Sequence, residues 1–129
     1  MKNITREEAL KLWLTTLEQH PERQTISVLG RTEGKFCCLG QLCHLLYEED
    51  EITTSKNGEF YFYGSDFDSE LLPKEIVDFM HFFDNSGCIE EDRESDDRKY
   101  SLADMNDNGT TWPEIANFIR ENPEKVFVS

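Results

Sequence analysis

Positive charge is scarce in this chain. Its 129 residues hold 13 Lys and Arg against 27 Asp and Glu, a formal net charge of −14. So acidic a balance repels nucleic-acid phosphates and anionic membrane surfaces, so direct binding to either is not expected. Long apolar runs are missing too: no stretch approaches the roughly 20 apolar residues that a membrane span needs. The opening Met1-Lys2-Asn3-Ile4 leads into a charged helical pattern without an apolar signal core, which predicts a cytoplasmic protein. Cysteines are few. Cys37 and Cys38 are adjacent, Cys43 follows closely and Cys88 stands apart, a poor framework for stapling a fold. They read as small buried apolar residues in a reducing compartment. Neither G-x-G-x-x-G nor a Walker sequence is present, so no phosphate loop is expected.

What is present suits one domain. A chain of this length buries roughly two-thirds of its unfolded surface, so it needs no disulfide or metal to hold a core. No internal repeat or interdomain linker breaks it. Thr5-Arg6-Glu7-Glu8 has the spacing of a capping box, and Leu10, Trp13, Leu14 and Leu17 follow on one helical face until His20-Pro21. Thr25 to Leu29 is β-branched and alternating and predicts a strand, with Gly30 and Gly34 around a turn towards Phe36. Cys37 to Leu46 predicts a short buried helix, in which Gly40 would permit close backbone contact.

Ile52 to Ser55 and Glu59 to Tyr63 flank Lys56-Asn57-Gly58 and predict a hairpin with positive φ at Asn-Gly. Its second strand alternates Phe60 and Phe62 with Tyr61 and Tyr63. If the phenylalanines face the core, the tyrosines face outward; the alternative is that both faces are covered. Leu72-Pro73 opens a helix with Ile76, Val77, Met80 and Phe83 inward. Asp84 to Arg98 reads as a solvated polar loop. Asp104 to Gly109 is a dense turn signal, and Thr111-Trp112-Pro113-Glu114 is a second capping box, starting a helix that Asn122-Pro123 ends. The fold expected is a single α+β domain over residues 1–129, with three or four helices packed on a small, mostly antiparallel sheet.

Few of these residues carry explicit chemistry. Cys37, Cys38, Cys43 and His44 lack C-x-x-C spacing, so no metal site is expected from them. A nucleophilic cysteine needs a lowered pKa and a nearby base, and Cys37 or Cys38 at a helix N-terminus fits best. Asp104-Met105-Asn106-Asp107-Asn108-Gly109 matches the first half of a calcium loop. Position 12 is Ile115 rather than a bidentate glutamate, which favours a turn. No cofactor is expected.

Two segments in order, Phe36-Cys37-Cys38-Leu39-Gly40-Gln41-Leu42-Cys43 and Leu102-Ala103-Asp104-Met105-Asn106-Asp107-Asn108-Gly109 with Trp112-Pro113-Glu114-Ile115-Ala116, resemble signatures of small acidic proteins of phages and prophages. His44 departs from the acidic residue common after the cysteine segment. The resemblance implies no assigned activity and no catalytic residues. It implies a context in which accessory proteins mask a host enzyme or defence factor, or sequester a signal molecule.

The first functional expectation is therefore non-enzymatic binding and inhibition of a host protein, one with a basic surface that normally grips nucleic acid. Glu90, Glu91, Asp92, Asp96 and Asp97 would supply the acidic surface, with Tyr61 and Tyr63 as anchors. The alternative is a binder of a nucleotide-like signal, its pocket lined by Gln24, Gly40, Gln41, Asn106, Asp107 and Trp112. A second alternative is a cysteine-dependent enzyme.

Overall fold

The structure, a computed structural model, describes residues 1–65, 68–89 and 101–128. Helix α1 runs Arg6–Gln19, and its start is set locally: the Thr5 side chain accepts from the Glu8 amide while the Glu8 carboxylate accepts from the Thr5 amide. A short 3-10 turn, Pro21–Arg23, follows. Strands β1, Gly30–Arg31, and β2, Lys35–Phe36, form one antiparallel pair. Helix α2 spans Cys38–Leu46, and a second 3-10 turn spans Glu49–Glu51. Strands β3, Ile52–Thr54, and β4, Tyr61–Tyr63, form the hairpin. Helices α3, Lys74–Met80, α4, Leu102–Asp107, α5, Trp112–Glu121, and α6, Pro123–Val126, complete the described residues. The architecture is α+β, as expected, but the strands make two separate two-stranded sheets rather than one.

The core lies between helices. α1 packs on α5, α2 and α3, and α4 packs on α2 and α5. Trp13, Leu17, Leu39, Leu42, Ile76, Trp112 and Ile115 are fully buried between them. Gly40 makes the closest approach possible: a Cβ there would lie 1.5 Å from the Leu29 carbonyl oxygen. Only glycine lets α2 sit this tightly against the chain that precedes β1. At the periphery, Arg120 of α5 pairs with Glu18 of α1.

Four local expectations are corrected. Thr25 to Leu29 is no strand: Ile26 to Leu29 forms bends, and Ser27 takes a positive φ of 73°. The Ser27 amide donates to Asp107 Oδ1 at 2.9 Å, a bond from 80 residues away that overrides the local β pattern. The hairpin turn places only Gly58, φ 74°, in left-handed space. Asn57 instead accepts from the Glu59 amide and the Ser55 hydroxyl. Helix α3 stops at Met80 because His81 turns left-handed, φ 68°, which buries Phe82 and leaves Phe83 half-buried. Asp104 to Asp107 is helical, capped by the Ser101 hydroxyl, not a turn.

Candidate functional site

The two distinctive segments meet, and Asn106 joins them. It is fully buried at the end of α4. Its Oδ1 accepts from the Cys38 amide at 3.0 Å, from the Trp112 indole Nε1 at 3.0 Å and from Gln24 Nε2 at 3.2 Å. Its Nδ2 donates to the Thr25 carbonyl at 2.7 Å. Gln24 closes the circuit, donating also to the Thr110 carbonyl and accepting from the Trp112 amide. Nearby, Gln41 accepts from Arg23. A buried amide so fully used joins four stretches of chain in one register. Among the described residues, no buried side-chain nitrogen or oxygen lacks a partner.

Thus Gln24, Asn106, Asp107 and Trp112 are brought together with their polar atoms bonded to one another, while Gln41 is held by Arg23 instead. Gly40 is closed by the Leu29 backbone. A nucleobase would have to displace these bonds rather than add to them. The helical course of residues 104–107 also departs from a calcium loop. Successive side chains there fan around an axis instead of converging on an ion. Among the described residues, no group of three or more His, Cys, Asp or Glu is set to hold a metal.

The cysteines are equally enclosed. Cys37 is the N-cap of α2, with its Sγ accepting from the Gly40 amide at 3.3 Å. Burial pushes its thiol up to about 11, and burial likewise raises Cys38 well above its ordinary value. Desolvation therefore outweighs the helix terminus that favoured a thiolate. All four cysteines are buried.

A second region is open. The register Ile52↔Tyr63 and Thr54↔Tyr61 puts Tyr61 and Tyr63 on one face of the hairpin. Tyr63 is 1 % exposed and so is not the outward anchor expected, while Tyr61, Phe60 and Phe62 are half-buried, so both faces are at least partly covered, as the alternative reading had it. The reason is a polar partner inside: Tyr63 Oη lies 3.2 Å from His44 Nδ1. Phe60 lies instead under the Arg31 guanidinium, 5.3 Å from the ring centroid. Phe36 and Tyr61 stack at 6.2 Å, and His44 packs against both at 4.7 and 4.9 Å. Tyr47 stacks on Tyr63 at 5.9 Å.

Half-buried Tyr61 and His44 then line a cleft of about 560 Å³ with Tyr47, Ile52, Glu48, Glu49 and Lys2. Burial lowers the His44 pKa first, and the charges of Lys2 and Arg23 lower it further, so the ring is neutral at pH 7. The adjoining 3-10 turn carries Glu49, Asp50 and Glu51, held by reciprocal bonds between Glu48 and Glu51. On its far side, a second cleft of about 630 Å³ is lined by Tyr47, Asp50, Glu51 and Glu75, with Lys74 at its edge. Burial, with the hydrogen bond to Glu75, holds the Tyr47 hydroxyl well above its ordinary pKa. Glu90, Glu91, Asp92, Asp96 and Asp97 lie outside the described residues.

A family model matches residues 5–123 of this chain. The chain belongs to the family described as a domain of unknown function, DUF8296. Neither the curated proteins nor the solved structures gave a match. The matched span of this DUF8296 chain takes in the Asn106 junction and the aromatic cleft, apart from Lys2 at its rim.

Sequence reading missed the cleft. Its aromatic lining comes from α2, the residue after it and β4, and the one sequence signal beside it is Tyr47 followed by Glu48, Glu49, Asp50 and Glu51.

Proposed function

We propose that this chain acts by binding, without catalysis, a protein with a basic surface, and that it inhibits that partner by covering the surface. The observation that carries this reading is the exposed run Glu48, Glu49 and Asp50 beside an aromatic cleft, in a chain of net charge −14. Acidic side chains steer a basic partner, while aromatic rings supply contact area that charge alone lacks. The acidic run at residues 90–97 extends the same sign of charge. Buried cysteines with raised pKa values favour binding over cysteine catalysis. The resemblance to phage proteins favours a host protein in the cytoplasm as the target, among them proteins that grip nucleic acid. Such a target already displays the lysines and arginines that an acidic surface would cover.

The test is native mass spectrometry of the tagged chain purified from host cells, followed by salt titration of the complex. A basic protein that co-purifies at low salt and dissociates as salt rises is the expected result. Loss of that partner on joint reversal of Glu90, Glu91, Asp96 and Asp97 to lysine would place the acidic run in the contact. A retained small molecule with no protein, or a partner indifferent to both salt and charge reversal, contradicts the proposal.

A further inference from the structure

We infer that the cleft between α2 and β4 is a receptor for one arginine side chain of the partner, with the guanidinium against Tyr61 and its N–H groups on Glu48 or Glu49. This deepens the binding reading above and rests on it. Three features of the cleft converge on that chemistry. Its wall is aromatic, with Tyr61, His44 and Tyr47 all lining it. Its rim is anionic, with Glu48 and Glu49 both exposed. Its floor is packed: His44 lies against Phe36 and Tyr61 and within hydrogen-bond distance of the Tyr63 hydroxyl.

A planar, weakly hydrated cation suits such a place. Guanidinium stacks on a ring face and donates in a fork to carboxylate, whereas the lysine ammonium is a compact point charge that holds its water. A neutral His44 adds a ring without adding repulsion. An anionic ligand would meet Glu48 and Glu49, with Lys2 in the lining and the more distant Arg23 to offset them in part, and a purely apolar one would strip water from both carboxylates.

NMR titration of the whole chain with acetyl-Gly-Arg-Gly-amide tests this inference, with the lysine and citrulline peptides as comparisons. The arginine peptide is expected to move the ring resonances of Tyr61 and His44. The lysine peptide should bind about threefold more weakly, and citrulline, which has the shape without the charge, should leave the rings unmoved. Tyr61→Leu should weaken the arginine peptide about fivefold. Glu49→Gln, at an exposed position that leaves folding intact, should weaken it about threefold. Equal shifts from arginine and lysine that survive both substitutions would reveal bulk attraction to the acidic chain and overturn the inference. The native partner separates this failure from failure of the binding reading. A partner retained equally by wild type, Tyr61→Leu and Glu49→Gln, but lost on reversal of the 90–97 charges, overturns the cleft alone.

Discussion

The Asn106 junction and the His44–Tyr61 cleft use similar side chains to opposite ends. Both combine aromatic rings with hydrogen-bonding groups, and both join distant segments of chain. At the junction every donor meets an acceptor in the interior, and Trp112 and Asn106 show no exposed surface. At the cleft Tyr61 and His44 are half covered, Tyr47 is buried, and Glu48 and Glu49 beside them are exposed. A polar group satisfied from within specifies the fold, while one left at the surface stays available for a partner. The contrast explains why the more distinctive sequence segments carry the architecture and the plainer ones carry the candidate contact.

The comparison breaks hardest at Asn106. Asn106→Ala removes the acceptor of the Cys38 amide and the Trp112 indole and the donor to Thr25. With buried partners left unpaired, unfolding free energy should fall by about 3–5 kcal/mol, measured by urea denaturation. Gly40→Ala comes next. Its Cβ would run into the Leu29 backbone, so α2 must shift, and a loss of about 3 kcal/mol is expected in the same assay. Thr111→Ala removes the α5 cap and should lower stability by about 1 kcal/mol. Cleft substitutions belong at the far end of the scale. Glu49→Gln should alter stability by less than about 0.5 kcal/mol while weakening arginine binding.

Acid sharpens the contrast further. The Glu8 and Glu114 carboxylates are held below their ordinary pKa, chiefly by the Thr5 amide and the Thr111 hydroxyl respectively. Their contribution is complete above the unfolded value of 4.5 and is lost as pH falls through the lower folded value. His44 is also lowered, from 6.5, so the unfolded chain takes up its proton first, and stability declines as pH drops below 6.5. Thermal melts across this range should show an upper acid limb that His44→Gln flattens. A lower limb should remain in that variant and flatten with Glu114→Gln, since glutamine still closes a capping box.

Legibility in the sequence followed the range of the interactions. Both threonine capping boxes and the apolar run of α2 were readable, because each depends on neighbours a few residues away; that Gly40 permits close contact was readable too, but the Leu29 backbone that requires it was not. The bends at Ile26 to Leu29 were not either, since Asp107 dictates the Ser27 conformation from far along the chain. Alternation in β4 could not choose a face, because both sets were aromatic. The hydroxyl of Tyr63 decided it by finding His44. Asp104 to Gly109 looked like a turn because its residues favour turns. Tertiary bonding through Asn106 rewards a helix as far as Asp107 instead, and the expected turn holds only at Asn108 and Gly109. Tyr61 was named as a contact residue from sequence, but the cleft around it required α2 and β4 to be placed together.

The most direct test of the distinction is a structure of the chain bound to the arginine peptide. The account predicts the guanidinium against Tyr61, within hydrogen-bond reach of Glu48 or Glu49, with the Asn106–Trp112 bond unchanged. A peptide seated instead among Gln24, Asn106 and Trp112, with that bond broken, would make the junction the binding site and contradict the account.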